Sequence, residues 1–174
     1  TLAGIPLWLA ISVRIGKHRA LLAAAMWIAV WSLPLVFLRE GHTAALIAII
    51  VVRGSSFASI LFLANSIAAD VIDVDTLESG EQRSGLFFAA WGMTIKLSLA
   101  FGVVLGTTLP SVLGYDPADP MISAVIQGRL MWVYGGVPAL LMGIGALFLY
   151  GFPITRERHA EVRAELLRRS TRYS

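Results

Sequence analysis

Residues 69–88 read ADVIDVDTLESGEQRSGLFF. Six of the fifteen residues from Ala69 to Arg83 are charged, five of them acidic, while the sequence on either side carries almost no charge. The apolar pattern resumes immediately at Leu86-Phe87-Phe88. A short acidic segment set between two long greasy runs is the pattern of a chain that leaves a lipid phase, turns in water and re-enters it.

Composition bounds the reading. Hydrophobic residues make up 57% of the 174 and charged residues 14%, against about 45–50% and about 25% for a soluble domain. The mean hydropathy is +0.75. A soluble fold of this size needs more polar surface than that. There is no cysteine, which excludes disulfides and thiolate metal sites. The chain opens at Thr1-Leu2-Ala3 inside an apolar stretch, without a basic segment or a small-residue cleavage site, so a signal peptide is not expected and a longer parent chain is.

Five apolar runs follow one another. Thr1–Val13 is uncharged but short; Ala20–Leu38 and Met131–Phe152 are uncharged; Thr43–Ala69 holds one charge, Arg53, and Gly85–Leu113 one, Lys96. About 20 apolar residues cross a bilayer core as a helix, so four runs suffice and the first looks truncated. Lipid leaves no partner for unpaired backbone groups, so the spans are expected to be α-helical. Tyr115, Trp132, Tyr134, Tyr150 and Phe152 are placed as interfacial aromatics. The predicted fold is all-α, a polytopic transmembrane helix bundle with about four complete helices and one truncated one.

Orientation comes from Lys and Arg. The turn Arg14–Arg19 (RIGKHR) has three and the tail after Pro153 has six arginines, whereas Arg39–His42 and Gly114–Gln127 carry only Arg39. The positive-inside rule puts the first turn, the acidic segment and the C-terminus in the cytoplasm. The sequence pI of 9.7 is thus explained by topology, and no nucleic-acid partner is expected. The division expected is a bundle over residues 1–153 and a basic cytoplasmic tail over 154–174. The tail has helical spacing, with Thr155 as a cap, Glu157 in the first turn, Arg168-Arg169 near the end and a narrow Val162/Leu166 stripe. It reads either as a helix on anionic headgroups or as a solvated extension.

The sequence offers little to an enzyme. His18, His42 and His159 fall in separate connections or the tail, and no metalloprotease, nucleophile-elbow or phosphate-loop motif occurs. Asp73-Val74-Asp75 begins like a calcium loop, but Leu77, Glu78 and Ser84 occupy positions that need a ligand, a glycine and a bidentate Glu. Gly102–Gly106 and Ala139–Gly143 are small-xxx-small pairs suited to tight helix packing, and Pro34 and Pro138 are expected to bend their helices.

Two charges at membrane depth stand out. On a helical wheel Lys96 shares a face with Ala89, Gly92, Ala100, Val103 and Thr107, opposite Phe87, Trp91, Phe101 and Leu105. Such a lysine costs at least ~2.5 kcal/mol to insert and is expected to face protein or a cavity, as a coupling residue or in an interhelical ion pair. Arg53 lies about ten residues into its span on an apolar face (Leu46, Phe57, Ile60, Ala64), and functional and structural roles stay open. No acidic residue of this chain lies at the same depth, so their partners are expected elsewhere.

A long helix ending in A-D-V-I-D-V-D, then T-L-E-S-G-E-Q-R-S-G-L-F-F-A, then a helix with a central lysine, resembles the glycoside–pentoside–hexuronide:cation symporters, the melibiose-permease-like branch of the major facilitator superfamily. Asp70, Asp73, Asp75, Gly80, Arg83 and Gly85 match the family pattern, while Val74 replaces its frequent tyrosine. The RIGKHR turn and the ITRERHAEVRAEL tail are similar to further family segments, so the resemblance covers nearly the whole chain.

The resemblance implies the C-terminal part of a major-facilitator fold, with residues 69–83 as the cytoplasmic connection between the family's tenth and eleventh helices. It implies cation-coupled symport of a sugar or glycoside by alternating access, with Lys96 in coupling and Asp70, Asp73, Asp75 and Arg83 in a cytoplasmic gating loop, Arg83 being the nearest partner for Asp70 and Asp73. Arg53 is carried as a second candidate for substrate or ion coupling. The expected partners are the lipid bilayer, an N-terminal six-helix half and a small sugar-like substrate. No resident cofactor or metal is expected, only a coupling Na+ or H+, in a bacterial inner membrane. The alternative is a non-transporting membrane subunit or sensor built on a permease half, and an intramembrane enzyme is the third reading.

Overall fold

The computed structural model describes residues 4–119 and 121–151, with Glu161, Val162, Ala164, Glu165 and Arg168 of the tail. All regular structure among these residues is helical: α1 (Ile5–Ile15), α2 (Lys17–Ser32) with a 3-10 extension (Leu33–Phe37), α3 (Thr43–Gly54), α4 (Phe57–Ser79), α5 (Ser84–Val112), α6 (Ala124–Met131), a π turn (Trp132–Gly136) and α7 (Val137–Tyr150). Four stretches are long and apolar enough to cross a membrane, namely Lys17–Phe37, Thr43–Ser79, Ser84–Val112 and Ala124–Tyr150, and Ile5–Ile15 is a shorter apolar helix. The shortest of the four, 21 residues, extends about 32 Å, enough for a core of about 30 Å.

Helix α2 is the centre of the bundle. Its alanines (Ala20, Ala24, Ala25, Ala29) are buried and present little bulk, so α7 and α4 pack closely along it. Near the α1–α2 turn Ala20 and Leu21 pack with Leu63 and Ile67 of α4, backed by Ile11, Ile60 and Leu149. At the opposite end Leu35, Leu38 and Ile49 form a second cluster with Leu46 and Met131. Toward the second cluster three of the spans are irregular. Pro34 converts the end of α2 into a 3-10 turn, α3 and α4 are separated at Ser55-Ser56, and Pro138 follows the π turn. The expected bends at Pro34 and Pro138 therefore appear as changes of helix type.

Two glycines make the sharp turns at the α1–α2–α4–α5 end. Gly16, at φ 92°, reverses the chain between α1 and α2. Gly80, at φ 73°, ends α4 in the left-handed conformation with its N–H on the Thr76 carbonyl at 3.1 Å.

Several expectations need correction. The acidic segment is a loop only at 80–83: Asp70, Asp73 and Asp75 lie on the end of α4, as a helix ending in ADVIDVD requires, and α4 runs on through Ser79. The final span starts at Ala124, not Met131, because Ser123 caps it by accepting from the Ile126 N–H at 3.3 Å. Trp132 and Tyr134 then fall inside that span, in the π turn. A Cβ at Gly102 or Gly106 would meet nothing within 4 Å, so this pair makes no tight packing among the described residues. Ala139, by contrast, is buried. The expected boundary at 153/154 lies outside the described residues, as do Thr155, Glu157, Leu166 and Arg169 of the predicted tail helix. The described tail residues are helical, and Val162 is buried beside Leu77 of α4.

Candidate functional site

The charged residues fall into three groups. The first surrounds the end of α4. Its apolar residues set the helix against the bundle, with Ile72 buried and Val71, Val74 and Leu77 half-buried, and this draws the carboxylate of Asp70 inward to 9% exposure. There it accepts from Lys17 Nζ at 2.7 and 2.8 Å through its two oxygens. Lys17 is the first residue of α2, placed by the Gly16 reversal, so the pair fastens the α1–α2 turn to α4 across 53 positions. The expected partner, Arg83, turns instead to Asp75 at 3.4 Å and Glu81 at 3.5 Å, closing the short connection on itself. Asp73 stands half-buried one turn beyond Asp70.

Arg53 forms the second group, at the break between α3 and α4. Its Nη1 donates to Ser32 Oγ and to the Tyr134 carbonyl, both at 3.3 Å. Ser32 Oγ in turn donates to the Ile28 carbonyl at 2.6 Å. No carboxylate among the described residues pairs with Arg53.

Lys96 is the third. Helix α5 lies at the margin of the bundle, touching α4 and the π turn, and only Pro110 of its residues is buried. The face that meets α4 is the aromatic one: Trp91 Nε1 donates to Asn65 Oδ1 at 2.7 Å, and Phe87 and Trp91 line an apolar groove of about 400 Å³ with Ala64, Ile67 and Val71. Lys96 points away from α4 with Ala89, Ala100 and Val103, all exposed, and its ammonium makes no hydrogen bond or ion pair with a described residue. Among the described residues, then, Lys96 faces neither protein nor a closed cavity. The three groups are held on different elements and do not converge on one another.

The Lys17–Asp70 pair and the Arg53 contacts escaped sequence reasoning. An acid and a base 53 residues apart give no local signal. The Tyr134 carbonyl accepts from Arg53 across 81 positions, and Pro138 four residues on has no N–H to offer it.

Long apolar helices, charge gathered at their ends and two cations at membrane depth define an integral membrane protein of the polytopic helical class. The family described as MFS/sugar transport protein matches residues 1–156, and the chain belongs to that family of transporters. It is 27% identical over 135 residues to an uncharacterized symporter of Synechocystis sp., covering 74% of this chain and 24% of that protein. It is 27% identical over 174 residues to a sphingosine-1-phosphate transporter of Xenopus tropicalis, covering 98% of this chain and 34% of that protein. The chain thus spans about a quarter and a third of the length of these two relatives. No solved structure gives a significant match.

Proposed function

We propose that the chain is part of a secondary active transporter that moves a small sugar-like solute together with Na+ or H+ by alternating access. The observation that carries this reading is the bare face of α5. A lysine at membrane depth, flanked by Ala89, Gly92, Ala100 and Val103 and turned away from its own bundle, is a cation awaiting acidic groups on an opposing half. A lysine there competes with, or responds to, the coupling cation at the interface between halves. Asp70, Asp73, Asp75 and Arg83, on the same end as the α1–α2 turn, act as the cytoplasmic gate. Membership of a sugar-transport family and likeness to a symporter support the proposal.

A second substrate reading draws on a different observation. The groove between α4 and α5 is lined almost wholly by apolar side chains, and one relative is a transporter of sphingosine-1-phosphate. An amphiphile whose tail lies in this groove is the alternative cargo. Proteoliposomes of the full-length protein, loaded with an imposed Na+ or H+ gradient and offered labelled glycosides or labelled sphingosine-1-phosphate in parallel, test both. Gradient-driven glycoside accumulation supports the first reading, and uptake of the amphiphile alone replaces it with the second. No flux of either kind returns the chain to a non-transporting subunit.

A further inference from the structure

Arg53 sits where three segments of the bundle meet, and each is irregular there. Helix α2 has just passed into its 3-10 turn beyond Ser32. Helices α3 and α4 are interrupted at Ser55-Ser56, two residues after Arg53. The last span is widened at Trp132–Gly136. The described start of α1 packs against the same place, since a Cβ on Gly4 would run into the carbonyl oxygen of Ser55.

The packing is equally close on the other side, since a Cβ on Gly135 would lie 2.8 Å from the Ser32 carbonyl oxygen and 2.9 Å from Leu35 Cβ. These interruptions lie at one level because Arg53 touches two of them directly, Ser32 on α2 and Tyr134 in the π turn. Interrupted helices stacked at one level form a belt at which the segments on either side can change angle.

We propose that Arg53 is the pin of this belt, a positioning residue that sets how readily α4 and α7 re-angle against α3 and α6. The chemistry of Tyr134 makes the assignment specific. Pro138 stands four residues beyond it and has no N–H to offer in the α-helical register, and the guanidinium of Arg53 donates to the Tyr134 carbonyl. The same Nη1 reaches Ser32, so one side chain ties the interruption in the Thr43–Ser79 span to those in its two neighbours. A lysine has a single compact ammonium and cannot reproduce a planar donor held across two acceptors. The role rests on the transport reading only for its consequence in flux; the hinge itself has a readout of its own.

The test uses the full-length protein in liposomes, with spin labels at Ala44→Cys on α3 and Ala69→Cys on α4, the two arms of the interrupted span. Arg53→Met is expected to broaden the distance distribution between the labels. It is also expected to lower the maximal transport rate about fivefold, the factor of roughly one net hydrogen bond, with KM little changed. Arg53→Lys should recover part of both effects. In a Pro138→Ala background an N–H returns to Tyr134, and there Arg53→Met should alter the distances far less. A distribution unchanged by Arg53→Met, or an equal broadening with and without Pro138, overturns the proposal. A broadening that follows the expected pattern in a protein that moves no solute leaves the pin standing and removes the transport reading instead. Poor folding of the methionine variant moves the comparison to Arg53→Lys and Pro138→Ala, whose distances carry the same two outcomes.

Discussion

Asp70 and Lys96 occupy opposite electrical situations, and single substitutions should separate them. Asp70 is matched: it is buried and holds Lys17 with both oxygens. Lys17 keeps 38% of its side chain in solvent, so the pair is worth about 1 kcal/mol and not the several of a dry pair. Lys17→Ala and Asp70→Asn should each lower the melting temperature of the purified protein in detergent, and the double variant should cost less than their sum. Additive losses would mean that the pair contributes nothing as a pair. Lys96 is unmatched among the described residues, so its substitution should spare stability and strike function. Lys96→Ala in the full-length protein is expected to abolish accumulation against a gradient while leaving some downhill flux. Lys96→Arg should rescue poorly, because a planar fork does not replace a compact ammonium. Uphill accumulation by the alanine variant at wild-type level, with membrane expression measured in parallel, would reduce Lys96 to a structural charge.

Among the helices, the spans were legible because four runs of apolar sequence admit no other solution in lipid, and the structure has helices in all four. The ends were harder. The acids of residues 70–78 look like a loop because they are charged, but helix continuation depends on backbone geometry, and the stop is Gly80, where φ turns positive. At the start of the last span Gln127 looks like connection, yet it lies within α6, and Arg129 Nη1 donates from the same helix to the Leu113 carbonyl at 2.9 Å and caps α5. The candidate site was half visible: Lys96 and Arg53 announce themselves as charges at depth, whereas their surroundings are set by helices distant in sequence. Element placement also yields a topology test. A cysteine at Ser79 should be shielded from impermeant thiol reagents in intact cells, and one at Pro117 should react. Labelling of Ser79→Cys with Pro117→Cys silent would reverse the orientation.

Across the whole molecule the asymmetry of α5 matters most. Helices α4 and α7 bury their faces on α2, whereas α5 leaves Lys96, Ala100 and Val103 on an uncovered side. If that side meets a second half, a nitroxide at Ala100 in the full-length protein should be poorly relaxed by oxygen, while one at Leu97 should show the strong oxygen relaxation of the lipid core. Equal oxygen relaxation at the two positions would place the Lys96 face in lipid and withdraw the interface.

The turn at Gly80 also acts as a leash. Only residues 80–83 separate α4 from α5, and Arg83 is already drawn back to Asp75 and Glu81. Five peptide steps from Ser79 to Ser84 reach at most about 18 Å, so the near end of α5 can swing about its tether but cannot slide away from it. Torque applied to α5 at Lys96 is therefore delivered to the last turns of α4, where Lys17 grips Asp70. Four glycines inserted after Gly80 should slacken this linkage at a closure cost below about 1 kcal/mol. Expression should stay normal while solute flux and dissipation of the ion gradient part company, read as leak of the cation without cargo; an unchanged stoichiometry would show that the two helices move without pulling on each other.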